Sequence, residues 1–228
     1  MNPAEVRVIV PVKDTSDAKQ RLSAVLSAGL RQALALAMLE DVLTALAGVP
    51  GLSEVVLVTV DPAARRLARR YGADTIADGA HDGHTGAVNA GARRLATRGH
   101  HTMLTLPGDV PLVTAGEIEQ LIAAHRPAPS FTIAPAHDEQ GSNAILMSPP
   151  QAVPLRFGED SFFPHLAAAR ACGIAPQVLH LPGIAFDIDN PQDLHHFAQL
   201  GSATRAGAVI AAHAREIGQT APPTSARG

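Results

Sequence analysis

Short apolar runs alternate with helical patterns along most of this chain. The runs at 6–10, 54–60 and 101–107 are mostly apolar, and the first two are rich in β-branched residues, which is typical of parallel strands buried on both faces. Between the first two, apolar residues recur every four positions from Leu30 to Leu46, as on one face of a helix. The alternation predicts an α/β fold: a doubly wound, mostly parallel, Rossmann-like sheet between two helical layers.

Capping signals predict where several helices begin. A serine, an Asp-Pro pair, a Thr-x-x-Glu capping box and an Asn-Pro pair each stand before a helical pattern, at Ser27, Asp61, Thr114 and Asn190. Further strands are expected at 73–77, 130–136, 143–149 and 176–182, with a helix over most of 161–173 that Ser161 would cap.

Length and composition limit the class of protein. The 228 residues, 46% of them apolar, suit one large domain, which we place at 1–218, followed by a disordered tail at 219–228. The net charge of −3 argues against nucleic acid as a partner. One cysteine, no signal-peptide pattern and no apolar run long enough to span a bilayer predict a soluble, cytoplasmic protein that does not bind membranes.

Three cations follow the first predicted strand. Lys13, Lys19 and Arg21 lie within nine positions of one another, although the chain as a whole is slightly acidic. Open α/β sheets bind ligands at the carboxyl ends of their strands, so these cations are placed to neutralise the phosphates of a nucleoside triphosphate. The alternative is a solvated, charged surface.

Carboxylates stand at two other predicted strand ends. Asp109 follows the run at 101–107, and Asp187 and Asp189 precede the helix that Asn190 caps. A turn aspartate or a helix cap would explain each alone, but Asn190 already supplies the second cap. Oxygen ligands of this kind suit Mg²⁺, which also keeps substrate phosphate in its shell. We therefore expect a magnesium site that bridges these carboxylates and the triphosphate.

Two polar segments interrupt the second half of the chain. "EQGSNAILM" and "FGEDSF" contain Gly141 and Gly158, which allow close backbone approach to a ligand, and small donors at Ser142, Asn143 and Ser161. The first backbone N–H groups of the helix after Ser161 would favour an anion. The alternative for Ser161 is a plain helix cap.

Several segments, taken in order, resemble a known enzyme family. "IVPVK", "AKQRLS", "LALAMLEDVL", "TLPGDVPLVT", "GSNAILMSPP", "RFGEDSF" and "FDIDNPQDL" are similar to the guanylyltransferases of coenzyme F(420) biosynthesis, the CofC/FbiD family. The resemblance covers about residues 6–200 and implies a GT-A-like nucleotidyltransferase fold. It implies that GMP from GTP, the co-substrate, is joined to 2-phospho-L-lactate, phosphoenolpyruvate or 3-phospho-D-glycerate, with release of pyrophosphate.

The resemblance also implies roles for individual residues. Asp109 and Asp187 would bind Mg²⁺, with Asp189 as an alternative or additional ligand, and Lys13, Asp109 and Asp187 would be the catalytic residues. The GTP side would comprise Lys13, Lys19, Arg21 and Asn89. The acceptor acid would be held by Ser142, Gly158 and Ser161.

Two departures from the family pattern bear on the acceptor. Ser142 stands where threonine is commoner, and the segment at 82–92 is longer and more polar than usual. A roomier pocket with more hydroxyl donors favours 3-phospho-D-glycerate over phosphoenolpyruvate. Alternatives are another nucleotidyltransferase of this fold, using CTP or a sugar or molybdopterin acceptor, and a non-catalytic protein that binds a nucleotide or phosphometabolite. Monomer and homodimer both remain open.

Overall fold

A single seven-stranded sheet runs through the described part of the chain. The computed structural model describes residues 2, 5–158, 160–200 and 203–213. The strands are β1 (Val6–Pro11), β2 (Glu54–Val58), β3 (Asp74–Ile76), β4 (Thr102–Thr105), β5 (Ser130–Pro135), β6 (Ser142–Ser148) and β7 (Gln177–Val178). Their order is β3-β2-β1-β4-β6-β5-β7. The predicted α/β class with a mostly parallel sheet is confirmed.

One strand of the sheet is reversed. β6 pairs antiparallel with both of its neighbours, β4 and β5, whereas every other pairing is parallel. Because β6 runs the other way, its first residue, Ser142, lies at the edge where the parallel strands end. Polar groups from the start of β6 and from the loop after β4 therefore meet at one edge of the sheet.

Eight α-helices flank the sheet in the described residues. They are α1 (Ala28–Ala47), α2 (Pro62–Arg70), α3 (Gly83–Thr97), α4 (Ala115–Ala124), α5 (Phe162–Ala171), α6 (Pro182–Ala185), α7 (Pro191–Gln199) and α8 (Arg205–Ala212). Ser27, Asp61, Thr114 and Asn190 all cap as predicted, with side-chain oxygens accepting from backbone N–H groups of the first turn.

Three local predictions were wrong. The strand expected at 176–182 is only two residues long, and the last of the expected residues, Pro182, begins α6. Ser161 occupies the N-cap position of α5, but its backbone is helical rather than extended and its hydroxyl makes no capping bond. The Ser161 and Phe162 N–H groups donate instead to the carbonyl of Gln140, at 2.8 and 2.9 Å. Because both N–H groups are already bonded, the third prediction, that they bind an anion, is also wrong.

The alternation of side chains along β1 divides the core. Val8 and Val10 pack in a cluster on one face of the sheet, and Ile9 packs in a second cluster on the other face. α1 and α4 cover the first face, while α3 and α5 cover the second. A third cluster joins α1 to α7 and α8.

None of the helices in the described residues is both long and apolar enough to cross a membrane. The predicted tail at 219–228 lies outside the described residues. The assignment of 1–218 to one domain stays a prediction.

Close packing of α3 on β1 generates the first prediction. A Cβ atom at Gly91 would lie 2.7 Å from Ile9 Cγ2, and Ile9 is fully buried. Overpacking costs about 1–3 kcal/mol, which should outweigh the gain of up to about 1 kcal/mol in helix propensity. Gly91→Ala should therefore lower the free energy of unfolding, measured by urea denaturation.

Gly29→Ala is the matched control. Gly29 is also helical, but a Cβ there would meet nothing within 4 Å, so this variant should be as stable as the parent or more so. Equal stability of the two variants would contradict the packing argument.

Candidate active site

Charged side chains from three loops meet at the carboxyl edge of the sheet. Lys19 comes from the loop after β1, Asp109 from the loop after β4, and Asp187 with Asp189 from the segment between α6 and α7. The predicted juxtaposition of cations and carboxylates is therefore present, with Lys19 at its centre.

The Lys19 ammonium bridges two of the carboxylates. Its Nζ lies 2.7 Å from Asp109 Oδ2 and 2.7 Å from Asp189 Oδ1. The Lys19 side chain is only 9% exposed, whereas those of Asp109 and Asp189 are 34% and 46% exposed. The ammonium is thus enclosed by protein, while both carboxylates keep a face open to solvent and to a ligand.

The contact between Lys19 and Asp109 shifts the pKa values of both groups. Burial acts to raise the pKa of Asp109, but the charge and hydrogen bond of Lys19 outweigh it, so the pKa lies below its usual value. Burial acts to lower the pKa of Lys19, and Asp109 and Asp189 outweigh it in the opposite direction. Lys19 and Asp109 are therefore both ionised at neutral pH.

The loop that carries Lys19 is anchored on both sides. Lys19 has a left-handed backbone with φ of 52°, which is uncommon for a residue other than glycine. Before it, the Thr15 N–H donates to Asp61 Oδ2 at 2.6 Å, and the Thr15 hydroxyl donates to the same oxygen. The buried Arg31 donates to the carbonyl of Ala18, directly before Lys19, at 3.3 Å, and to that of Leu26, after it, at 3.0 Å. These bonds hold the loop in the conformation that delivers the ammonium.

Asp187 adds a third carboxylate to this cluster. Its Oδ1 accepts a bond of 3.1 Å from the Asn143 amide, which also donates to the Ile184 carbonyl. Burial and the nearby Asp109 and Asp189 carboxylates raise the pKa of Asp187 to about 6. The site therefore holds more negative charge than one ammonium balances.

Whether the carboxylates of this cluster suit a metal ion depends on how closely they are grouped and on their donor atoms. Within the described ranges, no three His, Cys, Asp or Glu side chains are grouped closely enough to hold a metal, and the cation that the carboxylates bind here is Lys19. The donors nevertheless suit Mg²⁺, since they are carboxylate oxygens with surplus charge. The metal assignment of Asp109, Asp187 and Asp189 stays a prediction.

Next to this charged cluster lies a pair of buried serines. Ser161 Oγ donates to Ser142 Oγ at 3.3 Å, and Ser142 Oγ lies 2.9 Å from His165 Nδ1. Both serines are buried, whereas Gly158 is exposed in the loop before them. Ser142 and Ser161, predicted as acceptor residues from distant segments, are thus brought together.

The polar segment at 82–92 forms the beginning of α3, where it supports that same loop. The Thr85 hydroxyl accepts from the Phe157 N–H at 2.9 Å and donates to the Phe157 carbonyl at 3.3 Å. The His84 ring lies 4.4 Å from the Phe157 ring, centroid to centroid. This segment thus steadies the loop before Gly158 from the side of α3.

Other predicted residues are less closely tied to the cluster. Lys13 is exposed, and none of the described side chains forms an ion pair with it. Arg21 is exposed, and Asn89 is half-buried in the second turn of α3. Their roles on the GTP side stay predictions.

Sequence reasoning missed His165 and Thr85. His165 follows Ser161 by four residues, one helical turn, and a histidine on an otherwise apolar helix face was the available signal. Thr85 had no comparable signal, because only the fold brings it to Phe157.

Comparison with known sequences identifies relatives over most of the chain. The family model described as "Guanylyl transferase CofC like" matches residues 6–221. A protein of Rubrobacter xylanophilus named phosphoenolpyruvate guanylyltransferase is 39% identical, over 83% of this chain and 91% of its own. One of Colwellia psychrerythraea named 3-phospho-D-glycerate guanylyltransferase is 35% identical, over 86% and 92%.

Solved structures show the same fold. A protein from Desulfovibrio desulfuricans G20, described as a nucleotide-diphospho-sugar transferase, superposes with a TM-score of 0.75 at 17% identity, covering 95% of this chain and 98% of that one. A 4-diphosphocytidyl-2C-methyl-D-erythritol synthase gives 0.57 at 14% identity, covering 86% and 98%. The GT-A-like nucleotidyltransferase fold is confirmed.

The pKa of Asp187 generates a prediction about stability. The pKa rises from 3.8 to about 6 on folding, so the folded state binds more protons between these values, and ionisation of Asp187 costs stability as the pH rises through this window. Asp187→Asn should therefore stabilise the metal-free protein at pH 7.5 by about 1–2 kcal/mol, less than the full shift implies because solvent screens the charges. At pH 4 the gain should vanish.

Denaturation with urea at the two pH values measures this difference. Asp74→Asn is the control, because Asp74 is exposed in β3 and should give no pH-dependent gain. A gain for Asp187→Asn that is equal at both pH values would refute the electrostatic cause.

Proposed function

This chain belongs to the CofC-like guanylyl transferase family, and from this premise we propose the reaction in detail. GMP is transferred from GTP to the phosphate group of a three-carbon phosphorylated carboxylic acid, and pyrophosphate is released. The reaction belongs to coenzyme F(420) biosynthesis in this proposal.

The observation that carries the proposal is the pair of residues that begins β6. The Asn143 amide donates to Asp187 of the charged cluster, while the adjacent Ser142 hydroxyl belongs to the buried serine pair. Two neighbouring residues thus connect a site suited to a metal-bound triphosphate with a site suited to a small polar acid. Transfer between two substrates requires such proximity.

In this mechanism a phosphate oxygen of the acceptor attacks the α-phosphorus of GTP. The new P–O bond forms as the bond from the α-phosphorus to the bridging oxygen breaks, and pyrophosphate carries away the electron pair. The second pKa of a phosphate monoester is about 6, so the attacking oxygen is ionised at neutral pH. The protein therefore has to position the two substrates and to neutralise the charge of their phosphates, and no covalent nucleophile is needed.

Within this proposal each group of residues has a stated task. Asp109 and Asp187, with Asp189, would hold Mg²⁺, which would neutralise charge on the triphosphate. Lys13, Lys19, Arg21 and Asn89 face the GTP side. Ser142, Gly158 and Ser161 hold the acceptor acid.

For the acid itself we propose 3-phospho-D-glycerate, with phosphoenolpyruvate as the second candidate. Relatives of similar identity carry both names, so their names do not decide between the two. Ser142 leaves more room than threonine and keeps a hydroxyl, which suits the additional hydroxyl of 3-phospho-D-glycerate. Sites built to bond a substrate hydroxyl reject analogues that lack it.

Mass spectrometry of the reaction products tests the proposal. The protein is incubated with GTP, Mg²⁺ and equal concentrations of 3-phospho-D-glycerate, phosphoenolpyruvate and 2-phospho-L-lactate, and a parallel reaction contains CTP. The proposal predicts one dominant guanylylated acid and an equimolar amount of pyrophosphate. Products in the CTP reaction but not in the GTP reaction would indicate another nucleotidyltransferase. Nucleotide binding without any product would indicate a non-catalytic binding protein.

Removal of either central carboxylate should abolish most turnover. Asp109→Asn and Asp187→Asn keep the size of the side chain but remove its charge, so each should lower kcat by at least about 10²-fold, measured by pyrophosphate release at limiting Mg²⁺. Asp74→Asn, in an exposed position of β3, should leave kcat unchanged. Near-normal turnover in both site variants would remove the metal assignment.

Ser142→Thr tests the acceptor. The added methyl group should shift use away from 3-phospho-D-glycerate and toward phosphoenolpyruvate in the same three-acid competition. If the parent protein already prefers phosphoenolpyruvate or 2-phospho-L-lactate, or if the substitution leaves the product ratio unchanged, the choice of 3-phospho-D-glycerate is wrong.

A further inference from the structure

A buried histidine contacts both parts of the proposed acceptor site. His165 lies in the first turns of α5 and is 1% exposed. One ring nitrogen, Nδ1, is 2.9 Å from Ser142 Oγ, and the other, Nε2, is 3.0 Å from the backbone nitrogen of Arg156. The ring thus joins the start of β6 to the loop that leads to Gly158.

The bond from Arg156 determines the tautomer of the ring. A backbone N–H can only donate, so Nε2 must accept and cannot carry a proton. In a neutral imidazole the proton is then on Nδ1, and Nδ1–H donates to Ser142 Oγ. Burial lowers the pKa of His165 to about 4, so the ring is neutral at physiological pH.

Because Ser142 Oγ accepts the bond from His165, the hydrogen of the Ser142 hydroxyl stays available to donate. Ser142 Oγ accepts from His165 Nδ1–H and from the Ser161 hydroxyl, which fills both lone pairs. Among the residues that the structure describes, none accepts a bond from the Ser142 hydroxyl hydrogen. Ser142 is therefore held as a donor, which is what an anionic oxygen of a carboxylate or phosphate requires.

We propose that His165 is a positioning residue for the acceptor: through its Nδ1–H tautomer it orients the Ser142 hydroxyl toward an anionic oxygen of the phosphorylated acid. This inference rests on the proposed function, since it concerns the same acceptor site. His165 does not touch the substrate in this arrangement and acts only through Ser142 and the loop at 156–158.

The same ring also supports the loop. The Phe157 ring lies between two histidines, with its centroid 5.0 Å from that of His165 and 4.4 Å from that of His84. Removal of the His165 ring would free the Arg156 N–H and remove one of the two ring contacts of Phe157. Both effects displace the acceptor site and leave Lys19 with its carboxylates in place.

His125 provides a matched control. It is also buried, at 5% exposure, its pKa is also lowered to about 4 by burial, and it also bonds hydroxyl groups, those of Thr132 and Ser148 at 2.8 and 2.9 Å. Ser148 ends β6, whereas Ser142 begins it. The two histidines therefore make similar networks at opposite edges of the sheet.

Steady-state kinetics of His165→Gln and His125→Gln separates positioning from stability. Both variants should lower the melting temperature. Only His165→Gln should raise the KM for the accepted acid, 3-phospho-D-glycerate or phosphoenolpyruvate, by about tenfold or more, the effect of losing a hydrogen bond to a charged group. The KM for GTP should stay within about twofold in both variants, because the carboxylate cluster is intact.

Two further variants test whether His165 acts on the acceptor through the Ser142 hydroxyl. Asn at position 165 can place an amide N–H near the former Nδ1 but cannot reach Arg156, so His165→Asn should recover part of the acceptor KM. Combining Ser142→Ala with His165→Gln should cost little more than the worse single variant, since both remove the same bond. An unchanged acceptor KM, an equal rise in both KM values, or full additivity would overturn the inference.

A measurement on the ligand-free protein keeps the test independent of turnover. Nitrogen-15 NMR of labelled histidine should show His165 as the neutral Nδ1–H tautomer at pH 7. An Nε2–H tautomer or a protonated ring would refute the inference even if the protein is a guanylyltransferase. Failure to guanylylate any acid while this tautomer is present would instead count against the proposed function.

Discussion

Three carboxylates crowded at one edge of the sheet are the constraint on which the site depends. Asp109, Asp187 and Asp189 would repel one another in a partly buried position, and the Lys19 ammonium offsets part of that repulsion by bridging two of them. The left-handed backbone of Lys19 and the anchors of its loop hold the ammonium in that position. Burial and the neighbouring Asp109 and Asp189 carboxylates raise the pKa of Asp187. The surplus negative charge makes the edge receptive to a further cation, at a cost to the stability of the free protein.

The reversed strand β6 gives this charged edge its second half. Since its first residue lies where its neighbours end, Ser142 and Asn143 stand between the carboxylates and the loop before α5. Each of these residues is held by a bond of defined direction: Asn143 donates to Asp187, and Ser142 accepts from His165 and Ser161. A proposed metal and triphosphate site and a proposed acceptor site are thus adjacent but supported by separate contacts, so we expect that a substitution in one site can spare the KM of the other substrate.

Local sequence signals were accurate where short-range chemistry decides structure. The caps at Asp61 and Asn190 bond within their own first turns, so the neighbouring residues suffice to predict them. The signal at Ser161 failed because its position is decided by a distant carbonyl, that of Gln140, which takes the first N–H groups of the helix. The segment at 82–92 was recognised as unusual, but its contact with Phe157 depends on the packing of α3 and was not foreseeable.

The sequence by itself determined the order of strands and helices, the helix starts and the residues that follow each strand, because periodicity and capping act over a few positions. It also determined the family, through motifs that keep their order along the chain. Only the tertiary structure decided that Lys19 rather than Lys13 binds the carboxylates, that Asn143 bonds Asp187, and that His165 bonds Ser142. Such pairings depend on which loops the folded sheet brings within about 3 Å of one another, and distance along the chain carries no information about that.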